Sequence, residues 1–365
     1  MRSKFGLQKL TSFAFISFLS MLLTLLLTLL LSSCAVIDDA RNSGDDWIPA
    51  APTPTFTFNS LSGRVGQDNR VLAVKIDDTE QARPQIGITE ADVVYVEQVE
   101  GGVTRLAAIY SSRIPARIGP VRSARISDID LLEQYGKVAF AFSGAQRKLR
   151  PVIDGANLFN VGAEREGILV YSRDKDRRAP WNMILNTREL FSRIDKRELD
   201  VALATNRGWN FSEKNDSGAE IISAQMRWPA TRYEIAWSKE YSGWLITHDG
   251  SSKEDARGVP IVASTFVAQV VPITDSEYGD KFGGRTPLVT TVGQGRVFVF
   301  RHGRVIAGTW NRPTAQDGTS FTDDDGNEIT FARGQIWIAL VAQEPKITLP
   351  APPEAAQSAL PSPSK

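Results

Sequence analysis

From Leu10 to Leu31 the chain carries no charged residue, and its densest part reads MLLTLLLTLLL. Arg2, Lys4 and Lys9 precede this run, and Leu31-Ser32-Ser33-Cys34 closes it. About 20 apolar residues can span a bilayer. The order basic start, apolar run, two small residues and cysteine is also the pattern of a bacterial lipoprotein signal. A peptidase needs small residues beside the cut, and the thiol then takes diacylglycerol, with acyl chains such as palmitate. Residues 1–33 are therefore expected to be a signal peptide and Cys34 the lipidated residue. On either reading the folded part sits on the extracytoplasmic face of a bacterial cell membrane.

This placement decides what the remaining chain can do. Cys34 is the only cysteine among 365 residues, so an internal disulfide is excluded, and lipidation removes its thiol as a nucleophile. The formal net charge is zero, which argues against a nucleic-acid binder. No HExxH, GxSxG, CxxC, Walker loop or GxGxxG is present. The two histidines, His248 and His302, each stand beside turn glycines and read as turn residues. No cofactor and no metal site are expected. FTDDDGNEI (321–329) lacks the full calcium-loop pattern and reads as a hairpin turn.

Two stretches are too polar and proline-rich to bury a core: 34–60, read as a disordered linker, and 345–365, read as a disordered Pro/Ala/Ser tail. Between them lie two regions. Residues 61–205 contain VLAVKID, DVVYVEQ, VTRLAAIYS and KVAFAFS, apolar runs rich in β-branched residues, with Gly101-Gly102 marking a hairpin. Ser127–Tyr135 reads as a helix with Ser127 as N-cap, and 186–195 as another. This N-terminal domain is expected to be α/β or α+β. Residues 219–344 hold short strands with frequent turns, including the His302-Gly303 hairpin loop. They are expected to form a mostly β C-terminal domain, a small barrel or sandwich.

The chemistry-bearing residues are acids and arginines. Asp77 and Asp78 close the first strand, and Glu97 and Glu100 flank the Gly-Gly turn. Two carboxylates, one protonated and one ionised, are the minimum for cleaving a glycosidic bond, so these four are the catalytic candidates. On a regular strand Glu97 and Glu100 point to opposite faces. The competing reading pairs these acids with arginines. GPVRSAR (119–125) places Arg122, Ser123 and Arg125 just ahead of the 127–135 helix, and with Arg83 and Arg105 they are the candidate anion-binding residues, since a guanidinium grips carboxylate or phosphate in a fork. RDKDRRAPWN (173–182) reads as a solvated charged loop, and the tryptophans of the second region as core.

VKIDDTEQARPQIGITEADVVY, VEGGVTRLAAIY, IGPVRSAR, RRAPWN, GRVIAGTW and TDDDGNEITFARGQIWIALV together resemble the YerB-like bacterial lipoproteins, a two-domain family of poorly defined role. The resemblance spans about residues 62–343. It singles out Asp77, Arg83, Pro84, Glu100, Gly101, Gly102, Thr104, Arg105, Gly119, Pro120, Arg122, Ser123 and Arg125. Two departures stand out: Asp78 replaces the usual asparagine, and AFAFSGAQ (139–146) lacks the histidine often found there.

The expectation is a membrane-anchored, extracytoplasmic binding or scaffold lipoprotein with an arginine/carboxylate cleft for a cell-wall polymer or envelope protein. The alternative is a carboxylate-dependent glycan-cleaving enzyme acting on peptidoglycan.

Overall fold

The computed structural model describes residues 56–350 apart from 215–216 and 280–282. The expected signal peptide, the lipidation site Cys34, most of the expected linker and the end of the expected tail lie outside the described residues. Among the described residues no helix is long and apolar enough to cross a membrane.

The apolar runs become the strands β1 (Leu72–Asp77), β2 (Val93–Gln98) and β3 (Thr104–Tyr110). β2 and β3 form the expected hairpin, in register from Val93↔Ile109 to Gln98↔Thr104. β1 pairs antiparallel with β3 from Leu72↔Tyr110 to Asp77↔Arg105. All six residues of β1 are buried, because this sheet is covered on both faces. With a side-chain period of two, Leu72, Val74 and Ile76 enter one core, and Val71 and Ala73 enter the other.

The sheet does not stop at the boundary between the two regions. Strand Ile336–Val341 pairs parallel with β2 on one side and with Thr265–Val270 on the other. Gly293–Arg301, Arg304–Arg312 and Ser320–Asp323 continue outward from there, while β1 leads to Val138–Ala141 and Leu158–Asn160, giving an eleven-stranded mixed sheet among the described residues. The N-terminal region is mixed α/β and the C-terminal region mostly β, and they share one sheet. A second, antiparallel sheet of six strands, centred on Ser223–Trp228, Thr231–Ser238 and Gly243–His248, contributes Met226, Tyr233, Ile235 and Trp244 to the same core as Val74, Leu106 and Trp337. The two sheets therefore pack face to face, with strands of both regions in the larger one.

Some local expectations need correction. The linker ends before residue 58: Phe58 bridges Val65, and Asn59 is buried, holding Ser111 Oγ at 3.2 Å. The tail begins later than 345, since Lys346–Thr348 adds a strand to the second sheet by pairing with Ser223–Gln225. Its isoleucine packs against the core, which the proline-rich composition around it hides. The helix α1 (Ser127–Glu133) forms, but Ser127 is not its cap. The Ser127 hydroxyl instead accepts from the Val289 amide at 2.9 Å, and Asp128 takes the local amide, that of Arg125. The other expected helix, Thr187–Lys196, is capped by Asn186, which accepts from the Glu189 amide. His302 and Gly303 form the expected two-residue loop, both at positive φ. Trp244, Trp310 and Trp337 are fully buried, as expected of core tryptophans, and so is Trp209.

Trp337 sits on the strand that joins the two regions. Trp337→Ala is expected to cost about 3–5 kcal/mol. Urea unfolding followed by fluorescence and by far-UV circular dichroism should still give one coincident transition, because the regions share a sheet.

Candidate functional site

The site is built at the C-terminal end of β1. Past Val74, the strand exchanges its neighbour Val138–Ala141 for the GPVRSAR segment: the Asp77 amide donates to Pro120 O at 2.9 Å and the Arg122 amide to Lys75 O at 2.8 Å. That strap puts Arg122 beside Asp77. The neighbouring turn is equally fixed. Gly102 has φ near +73°, and a Cβ on it would lie 2.6 Å from Pro229, so glycine alone lets the β2–β3 turn close onto the second sheet.

One face of the sheet carries Lys75, Asp77, Glu97 and Arg105 in adjoining register positions. Lys75 is fully buried, its Nζ 2.7 Å from Glu97 Oε1 and 2.6 Å from Asp128 Oδ1. Asp77 accepts from Arg122 Nε and from the Thr79 amide and hydroxyl. Glu100, at the start of the turn, holds Arg125 through Nε at 2.8 Å and Nη2 at 2.5 Å, and also accepts from the Thr286 hydroxyl. Arg105 lies between these two pairs. Among the described residues its one hydrogen bond is to the Ser123 carbonyl, at 3.2 Å, and it forms no direct ion pair, although the charges of Asp77 and Glu100 act on it. Ser123 Oγ donates to Ser143 O at 3.2 Å. Beside Arg125 opens a cavity of about 380 Å³, also lined by Glu100, Ser123, Gln146, Tyr278 and Thr286.

Asp78, one residue on from Asp77, faces the opposite way, toward the second sheet. Its buried carboxylate accepts from Lys253 Nζ at 2.7 Å, Tyr233 Oη at 2.5 Å, Thr104 Oγ1 at 2.6 Å and Gln85 Nε2 at 3.3 Å. His248 Nδ1 stands 3.5 Å away. Arg83 is on this side too, donating to the His248 carbonyl at 3.3 Å. The five expected anion-binding residues are thus split: Arg105, Arg122, Ser123 and Arg125 meet, and Arg83 borders a separate pocket with Asp78 and His248.

His248 is a correction to the turn-residue reading. It ends a strand, is buried, and stacks on Tyr233 with ring centroids 4.5 Å apart. The charged loop 173–182 is more than solvated, because Arg177 donates to the Ala82 and Pro84 carbonyls at 3.0 and 2.6 Å and braces the loop that carries Arg83. Lys75, Tyr233 and Lys253 were missed by sequence, and Asp128, read as a partner for Arg122 or Arg125, takes Lys75 instead. Only Lys75 left a signal, as a lone charge inside a run otherwise apolar enough to be buried on both faces.

Burial alone would raise Asp78, but Lys253 and His248 overcome it and hold the carboxyl well below the usual range. Glu97 goes the other way: burial, with Asp128 adding repulsion, outweighs Lys75 and pushes it up to about 7. Arg125 and Thr286 keep Glu100 below its ordinary value against the effect of burial. Arg105 is pushed down to about 9 by burial and by the guanidiniums of Arg125 and Arg122, so it remains a cation at neutral pH. Three guanidiniums therefore share two carboxylates. The four candidate acids are each held by a basic partner, and Glu97, the one protonated near neutrality, is sealed inside. Among the described residues no group of three or more His, Cys, Asp or Glu is placed to hold a metal ion.

Residues 60–200 match the family described as "Protein of unknown function (DUF3048) N-terminal domain", and 223–338 match its C-terminal domain. The chain belongs to the DUF3048 family. A Bacillus subtilis (strain 168) relative, YerB, whose name describes it as a lipoprotein, is 24% identical over 281 residues, covering 75% of this chain and 82% of its own. The crystal structure of YerB protein from Bacillus subtilis superposes with a TM-score of 0.69 at 21% identity, over 80% of this chain and 99% of that one. The fold is therefore the DUF3048 fold, and three of the stretches that carried the resemblance, those holding Asp77, Glu100 and Arg122, meet in it at the end of β1.

Glu97 and Lys75 give a pH signature. Unfolded, Glu97 ionises near 4.5, and folded near 7. Between those values the folded chain keeps a proton that the unfolded chain has lost, so this group's contribution to stability falls as pH rises. Glu97→Gln removes that loss. Its stability relative to wild type should move in the variant's favour by on the order of 2–3 kcal/mol across this window, read from urea midpoints at each pH. Lys75→Met leaves two buried carboxylates facing one another and should cost about 3–5 kcal/mol.

Proposed function

We propose that the protein is an envelope lipoprotein, anchored through Cys34 on the extracytoplasmic face of the membrane, that binds an anionic group of a cell-wall polymer or envelope partner at Arg105, Arg122 and Arg125. The single observation that carries this is the charge count at the site, three guanidiniums to two carboxylates. The excess falls on Arg105, which among the described residues has only a backbone carbonyl as hydrogen-bond partner. A desolvated cation pushed down by its neighbours gains more from an arriving anion than an exposed one does, because solvent screens it less. The cavity beside Arg125 gives such a group room, with Ser123, Gln146 and Thr286 as further hydrogen-bonding partners. The anchoring rests on the LSSC sequence and on the lipoprotein name of the relative YerB.

Glycan cleavage gains nothing from this geometry, since it needs an ionised and a protonated carboxyl open to substrate, and each of the four acids is engaged by a base.

The test is retention of the detergent-solubilised full chain on purified cell wall, with and without its phosphate-bearing polymers. Arg105→Gln should weaken retention about tenfold or more, and Lys239→Ala, an exposed control, should not. Melting temperatures show whether each variant is folded. Wild-type retention by Arg105→Gln, Arg122→Gln and Arg125→Gln alike would remove the basis for the reading.

A further inference from the structure

The pocket on the Asp78 side is separate from the arginine cluster and has a different chemistry. It offers about 280 Å³ of free space where the 79–83 loop meets the second sheet. Its floor is the Asp78 carboxylate, already saturated by Lys253, Tyr233, Thr104 and Gln85, so the floor neither attracts nor repels strongly. The unspent charge is Arg83. No carboxylate among the described residues pairs with it, and its Nε is buried with no hydrogen-bond partner. His248 is engaged within the protein, its Nδ1 3.5 Å from Asp78 and its Nε2 3.2 Å from Asp249. A buried donor left unsatisfied costs about 1–3 kcal/mol, which a ligand acceptor would recover. At the mouth stand the exposed carboxylates of Glu80 and Asp249, and the hydroxyl of Ser251.

We infer that this pocket binds the α-carboxylate of an amino acid or of a peptide C-terminus, with Arg83 as its anchor. A guanidinium matches a carboxylate in a fork, and Arg83 lines the pocket without a carboxylate of its own among the described residues. The acids at the mouth suit an ammonium group or the backbone amides of a short peptide, which disfavours a polyanion such as a phosphate chain. The space suits one residue or a short peptide end and falls at the small end of ligand pockets.

The experiment is calorimetric titration of the detergent-solubilised full chain with alanine, with trialanine, and with trialanine amidated at its C-terminus. Binding of alanine or trialanine, and binding of the amide weaker by about tenfold or more, is the expected result. Alanine against trialanine separates a free amino acid from a peptide end. Arg83→Gln should abolish binding. Ser251→Trp, a change at the exposed rim that leaves Arg83 in place, should block the mouth and do the same even if Arg83→Gln folds poorly. Lys239→Ala, an exposed control, should bind the peptide as wild type does. Equal binding of the free and amidated peptides, no binding of any of the three probes, or undiminished binding by Ser251→Trp would overturn the inference.

Discussion

Two aspartates stand next to each other at the end of β1, and a strand sends neighbours to opposite faces. Everything at this end of the molecule depends on that. Asp77 faces the GPVRSAR strap and fixes Arg122. Asp78 faces the second sheet and fixes Lys253 and Tyr233. One dipeptide therefore anchors a separate layer on each side of the sheet. Neither carboxylate is replaceable by the other, because a shift of one residue would exchange their partners.

The two sides resolve charge differently. Around Asp78 the hydrogen bonds are many and mutually supporting, and the carboxylate stays ionised in a dry interior because donors surround it. Around Asp77 positive charge exceeds negative, and the surplus is held in place by backbone rather than by an acid. Lys75, further in, uses two carboxylates for one ammonium, the reverse imbalance, and it is answered by protonation of Glu97. A folded chain can hold a surplus of buried acid by binding a proton. It has no such recourse for a surplus of arginine, which stays charged at neutral pH.

Much of the fold was legible. The Gly-Gly hairpin, the His302-Gly303 loop, the helix over 187–196 and the strands of both regions follow from period, caps and turn residues, which act over a few positions. The sharing of one sheet was not legible, because pairing of Ile336–Val341 with β2 spans more than two hundred residues and leaves no local mark. The site divides the same way. Asp77, Glu100 and the arginines were found as residue types near turns. Which acid took which arginine depended on strand register. Lys253 sits in GSSKEDARG, a stretch whose polarity resembles any exposed turn, and His248 beside Asp249-Gly250 carried the signature of a turn as well. Their burial comes from the opposing sheet, of which their own neighbours hold no record.

The position of Ile336–Val341 has a consequence for how the chain is made. Among the described residues this strand follows every other strand of the large sheet in chain order, yet it lies in the middle of that sheet, between β2 and Thr265–Val270. Until it arrives, both flanking strands present unpaired, apolar edges, the surfaces most prone to join another chain. Synthesis delivers β2 and Thr265–Val270 before the strand that closes the gap between them. A chain cut short before residue 336 would lose the seam of the fold rather than a terminal ornament, and the nascent protein needs protection at those two edges for as long as the rest of it takes to emerge.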